Sequence, residues 1–98
     1  MPAIPMRGII DKIAAELLID KKSLIKESLK IYLNFELRKI ECEMFKLGGR
    51  YNVTSAKEID ERYKKGTLEE EDTWEDFFKL DHLEFKKKQI LKALEEIR

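Results

Sequence analysis

Between Ser23 and Leu47 the apolar residues fall on two opposite sides of one helical cylinder. At about 100° per residue, Ile25, Leu29, Leu33, Leu37, Ile40, Met44 and Leu47 gather on one side. Leu24, Ile31, Phe35, Cys42 and Phe45 gather on the other. A surface helix ordinarily buries one stripe and wets the opposite one. Two stripes call for two coverings, and 98 residues hold little material for both, so a second chain is the expected lid. The first stripe, Ile25, Leu29, Leu33, Leu37, Ile40 and Met44, is assigned to dimerisation.

The rest of the chain also has helical periods. Pro2 and Pro5 make residues 1–6 irregular or extended. Ile9, Ile10, Ile13, Ala14, Leu17 and Leu18 then predict a short helix from about Gly8 to Leu18. Asp20 is placed to cap a long helix from Lys21 to Leu47, with Gly48-Gly49 as its stop. Thr54 or Ser55 opens a third helix, where Ser55 followed by Glu58 resembles a capping box, and that helix ends at Gly66. Residues 67–70 suit one further turn. Asp72 or Thr73 caps a last helix that runs to the C-terminus, with Glu75 and Asp76 suiting its positive end. In that helix Trp74, Phe77, Phe78 and Phe85 share one side, and Leu80, Leu83, Ile90, Leu94 and Ile97 share the other. No period-2 alternation predicts a strand after residue 7. The expectation is an all-α chain of about four helices dominated by two long ones, forming a helical homodimer. Residues 1–49 would be its dimerisation region. Residues 50–98 would hold the short helix, the acidic-aromatic segment and the C-terminal helix.

Charge divides the chain differently. Lys plus Arg and Asp plus Glu number 20 each, so no global field recruits nucleic acid or an anionic membrane. Residues 1–66 carry a net of +4, residues 67–85 a net of −7, and residues 86–98 a net of +3. The abundance of Lys, Glu and Ile beside few amides fits a heat-adapted source. The N-terminus has no secretory h-region and the chain has no membrane-length apolar run, which predicts a soluble, cytoplasmic protein.

Candidate chemistry is sparse. His82 and Cys42 are the only histidine and cysteine and lie forty residues apart, so no metal cluster is expected, no internal disulfide forms and no cofactor is called for. Glu71 with Glu75, and Asp72 with Asp76, are one turn apart, but crowded and hydrated carboxylates do not divide into acid and base. There is no nucleophilic triad and no phosphate-cradling loop; the chain reads as a non-enzyme. Two surfaces remain. Lys22, Lys26 and Lys30, with Arg7 and Lys21 near the start of the long helix, form a basic edge that would suit DNA phosphates. The acidic-aromatic block offers Trp74, Phe77, Phe78 and Phe85 among Glu71, Glu75 and Asp81; aromatics anchor interfaces and the surrounding charge selects the partner, here a basic protein.

The stretch from Ile13 to Leu33, and Ser23-Leu24-Ile25-Lys26-Glu27-Ser28-Leu29 within it, resembles the helix–turn–helix portion of ribbon–helix–helix regulators. The run Arg50-Tyr51-Asn52-Val53-Thr54-Ser55 and the later Trp74-Glu75-Asp76 are similar to small prokaryotic antitoxin-like proteins. That resemblance implies an N-terminal half that dimerises and contacts operator DNA, and a C-terminal half that wraps a ribonuclease toxin. It also implies a ribbon strand just before the first helix, where Pro2 and Pro5 each remove a ladder donor, and a Gly in the turn where this chain has Leu18. The leading expectation is an antitoxin-like protein that sequesters a basic partner. The alternatives are a DNA-binding regulator and a plain structural dimer.

Overall fold

The computed structural model describes residues 5–98, and among them it is helical throughout, with four helices and no strand. The expectation for residues 1–4, Pro2 included, lies outside the described residues. Helix α1 spans Met6–Leu17, α2 Lys21–Tyr51, α3 Ala56–Lys65 and α4 Trp74–Glu96. Met6 and Arg7, within the segment where the ribbon–helix–helix resemblance places a strand, belong instead to the first turn of α1.

Local caps set most of the boundaries. The Asp20 carboxylate accepts from the Ser23 backbone N–H at 3.1 Å and starts α2. Ser55 Oγ accepts from the Glu58 N–H at 3.3 Å and starts α3. The Glu58 carboxylate reaches back one residue further than a standard box, accepting from the Thr54 N–H at 2.6 Å and the Thr54 hydroxyl at 3.1 Å. Gly66, at φ +72°, closes α3 in the left-handed conformation that Gly adopts without strain. Leu18 ends α1 at φ +56° while 91 % exposed; a Leu held there costs about 1 kcal/mol of backbone strain that its side chain does not recover by burial.

One boundary differs from the expectation. Helix α2 does not stop at Gly48-Gly49 but runs four residues beyond Leu47 to Tyr51, ending on Asn52 at φ +55°. Gly48 is needed for space and not for a turn. A Cβ there would lie 2.4 Å from the Val53 carbonyl oxygen, which folds back over the helix, and the Val53 N–H donates to the Gly48 carbonyl at 2.9 Å. At the start of α4 Thr73 takes the N-cap position, one of the two expected, but without a capping side-chain bond. Asp72 sits at φ +69°; Thr73 Oγ1 turns back to the Glu69 carbonyl at 2.5 Å.

Helices α2 and α4 pack as an antiparallel hairpin. Arg50 meets Asp76 at one end, and Ile25 and Leu29 lie beside Ile97 at the other. Ile40 and Leu47 from α2, Leu80 and Leu83 from α4, and Val53, Ala56 and Ile59 from the connection form one buried cluster. Ile59 and Leu80 are each 1 % exposed, and full burial of such a side chain stabilises by about 1.5–3 kcal/mol. Met44, Tyr51, Tyr63, Leu68, Phe77 and Ile90 pack around it. Helix α1 packs on α2; Ala14 is buried and Lys21 Nζ lies 2.8 Å from Asp11. The molecule measures 61 × 33 × 18 Å with a radius of gyration of 20.0 Å, against about 13 Å for a compact chain of this length.

This hairpin covers much of the stripe assigned to dimerisation. Ile40 and Leu47 are already buried by the chain itself, Met44 packs on the same cluster, and Leu33 and Leu37 are half-buried. Ile25 and Leu29, at the open end of the hairpin, keep about two-fifths of their surface in water. The cause is α4, whose Leu80, Leu83 and Ile90 match the first stripe. The second stripe is the one left facing solvent.

The adjacent glycines give opposite expectations. Gly48→Ala should lower stability by about 1–3 kcal/mol, because a backbone oxygen has to move. Gly49 has nothing within 4 Å of an added Cβ, so Gly49→Ala should raise stability by up to about 1 kcal/mol through helix propensity. Urea denaturation of the two variants separates space from conformational freedom as the reason for the pair.

Candidate partner-binding face

The N-terminal half of α4 is held by a polar frame that the sequence pattern does not reveal. Tyr51 donates its hydroxyl to Asp76, and Arg50 Nη1 approaches the same carboxylate at 3.3 Å, which ties the end of α2 to the first turn of α4. Arg62 of α3 donates to the backbone carbonyls of Tyr51 and Asn52, placing a cation at the negative end of α2. Glu84 of α4 accepts from the Ala56 N–H at 2.7 Å, placing a carboxylate at the positive end of α3. The Tyr63 hydroxyl meets Thr73 Oγ1 at 2.8 Å. Among the described residues no buried side-chain polar atom lacks a partner.

With α4 fixed by one side, its opposite side is displayed. Trp74 is 50 %, Phe78 58 % and Phe85 57 % exposed. Their spacing of four and seven places them on one stripe. Trp74 and Phe78 meet edge to face with centroids 5.8 Å apart, and Phe78 meets Phe77 at 5.3 Å. Phe77 itself departs from the expected set: it turns inward and packs edge-on against Tyr63 at 5.9 Å. Glu71, Glu75 and Asp81 are exposed around the stripe. The acidic block is therefore divided. Asp76 and Glu84 are used by the fold, and the others are left to solvent. Residues 26 and 28 positions apart in sequence make those contacts, so no local signal distinguishes these two carboxylates from their neighbours.

The remaining expected positions are spread over the molecule. Arg7, Lys22 and Lys26 are exposed, with Lys22 and Lys26 beside Ile25, Leu29 and the C-terminal Glu96-Ile97-Arg98. Lys21 is paired with Asp11 and Lys30 lies 3.8 Å from Glu27, so two cations of the basic edge have local counter-charges. His82 and Cys42 are exposed on different helices. Among the described residues no group of His, Cys, Asp and Glu side chains is arranged to hold a metal ion, and no helix is long and apolar enough to cross a membrane.

Comparison with known proteins places the sequence. Over residues 1–98 it matches the family described as "Uncharacterized protein MJ0235 family". The chain belongs to this family. A curated relative, "Uncharacterized protein MJ0235" of Methanocaldococcus jannaschii, is 30 % identical over 77 residues, which covers 79 % of this chain and 93 % of the relative. No solved structure matches. Membership of this family names no activity, and the displayed stripe of α4 is the feature with a surface suited to binding.

The polar frame fixes how stability depends on pH. The Asp76 carboxylate, by accepting the Tyr51 hydroxyl, pushes the Tyr51 pKa up to about 12, with burial and the Asp76 charge acting in the same direction. A raised pKa favours the protonated folded form, so this contribution is complete below about pH 10 and is lost between about pH 10 and 12. The Glu58 carboxyl is held below its ordinary range chiefly by the Thr54 N–H, then by the Thr54 hydroxyl. Its contribution is present at neutral pH and disappears as pH falls through the carboxylate range. Tyr51→Phe should cost about 1 kcal/mol at pH 7, at the low end for a bond to a charged group because water reaches both partners. It should also flatten the alkaline limb of stability against pH, while Glu58→Gln should flatten the acid limb. Denaturant titrations from pH 3 to pH 12 read both limbs.

Proposed function

We propose that this chain is a non-enzymatic, dimeric interaction protein of antitoxin-like type that holds a basic protein partner on the outer stripe of α4. The observation that carries this reading is the half exposure of Trp74, Phe78 and Phe85 along one stripe, bordered by the free carboxylates of Glu71, Glu75 and Asp81. Large aromatics are enriched at interface centres because they bury much area at little conformational cost. Like-signed charge around them speeds encounter with a partner of opposite sign and repels acidic competitors. The stripe sits on a helix clamped from behind at Asp76 and Glu84, so it is presented ready-made and little ordering is lost on association. A ribonuclease toxin, the partner that the sequence resemblance implies, is one protein of this basic class.

The test is affinity capture of the product of the adjacent gene by the full-length protein, followed by titration calorimetry. Trp74→Ala with Phe78→Ala should weaken the association by about 100-fold without loss of helical circular dichroism, because both side chains lie outside the core. Glu71→Lys with Glu75→Lys should chiefly slow association and reduce its salt dependence. Association that survives the aromatic double change would move the binding surface elsewhere. Absence of any captured partner would remove the functional class.

A further inference from the structure

The outer side of α2 is apolar and uncovered: Ile31 is 70 %, Phe35 60 % and Phe45 82 % exposed, and Cys42 between them is exposed too. We propose that a second copy of this chain covers this side, with the two α2 helices parallel and in register. The inference rests on the dimeric part of the reading above and is independent of the basic partner.

Spacing argues for a second copy as the occupant. Residues 24, 28, 31, 35, 38, 42, 45 and 49 recur at alternating steps of four and three, the seam of a two-stranded coiled coil. Leu24, Ile31, Arg38 and Phe45 take one seam position, and Ser28, Phe35, Cys42 and Gly49 take the other. Leu24 is half-buried at the α1 end, so the open seam runs from Ile31 to Gly49, about 27 Å of helix. A seam this short would be marginal between free peptides. Here α4 already holds α2 helical along its inner side, and pairing does not bear the cost of forming the helix. Among the described residues nothing covers this side, as the exposure of Ile31, Phe35 and Phe45 shows.

Charge argues for the direction. Glu27, Asn34 and Glu41 border one flank of the seam, and Tyr32, Lys39 and Lys46 border the other. In a parallel pair each flank meets the opposite flank of its partner, with residues five positions apart facing one another. Glu41 then faces the partner's Lys46, and Asn34 faces the partner's Lys39. In an antiparallel pair centred on Arg38 like flanks meet, so that Glu41 faces the partner's Asn34 and Lys39 faces its own copy, and the attraction between Glu41 and the partner's Lys46 is lost. Arg38 is the charged residue of the seam. In register it meets its own copy across the seam, a like-charge contact that weakens the pair and that the apolar seam residues and the flanking Glu41–Lys46 pairs have to offset.

Cys42, the single cysteine, reports the geometry. In the parallel register the two Cys42 Cα atoms come within the roughly 7 Å that a disulfide tolerates. An antiparallel pair centred on Arg38 separates them by about 12 Å along the axis. The experiment is sedimentation equilibrium of the full-length protein at micromolar concentration, with mild oxidation followed on non-reducing gels. A dimer mass and near-complete cross-linking are expected. Phe35→Glu with Phe45→Glu should raise the dimer dissociation constant by about 100-fold and abolish the cross-link while retaining helical circular dichroism. Glu41→Lys alone should weaken the dimer, and adding Lys46→Glu should restore it. A monomer would overturn the proposal. So would a dimer that resists oxidation, a dimer indifferent to the Phe35 and Phe45 changes, or a failure of the charge swap to rescue. None of these results depends on whether a basic protein binds α4.

Discussion

The antiparallel contact between α4 and the inner stripe of α2 is the constraint on which the molecule depends. It places Leu80 and Leu83 against Ile40 and Leu47 and gathers Val53, Ala56 and Ile59 over them, so that one small apolar cluster forms where two long helices and a short one meet. Away from that cluster the hairpin is thin. Its far end is held by half-exposed Ile25 and Leu29 beside Ile97, and α1 is fastened to α2 through contacts that include the Lys21–Asp11 pair. Stability is therefore concentrated in the half that contains α3, and the opposite half is bound by fewer buried groups.

The polar contacts are concentrated in that same half. Arg62 covers the carbonyl end of α2, Glu84 covers the N–H end of α3, and Asp76 receives both Tyr51 and Arg50. Each joins a charge to a helix end or to a group that burial would otherwise leave unsatisfied. The apolar cluster determines which elements meet, and these directional bonds determine the rotation at which α4 sits. Rotation matters for function. It turns Phe77 inward onto Tyr63 and leaves Trp74, Phe78 and Phe85 outward.

The consequence is a slab with an apolar stripe on each outer side, one on α2 and one on α4. Both consist of large side chains with charged borders, and the borders differ. The α4 stripe is bordered by exposed carboxylates, which suits an unlike, basic surface. The α2 stripe has an acidic flank and a basic flank, which suits its own copy. Two separate surfaces would let the proposed dimer form without obstructing the proposed partner, and such a dimer would carry the α4 face twice.

The sequence by itself determined what depends on neighbours within a turn or two. Helical type, the Asp20 and Ser55 caps, the Gly66 stop and the two stripes on α2 all follow from spacings of three, four and seven residues, because backbone hydrogen bonds and side-chain faces repeat at that range. Tertiary structure decided what depends on meetings across longer separations. Either stripe of α2 was fit to receive α4, and periodicity holds no information on which one does. Gly48 has the composition of a helix stop, yet its role is set by the Val53 carbonyl that folds over it. Asp76 and Glu84 are two carboxylates among eight in the acidic block until the ends of α2 and α3 arrive beside them. Local physics fixes the elements and their greasy sides, whereas the partner of each side is a choice between competing burials that only the assembled chain resolves.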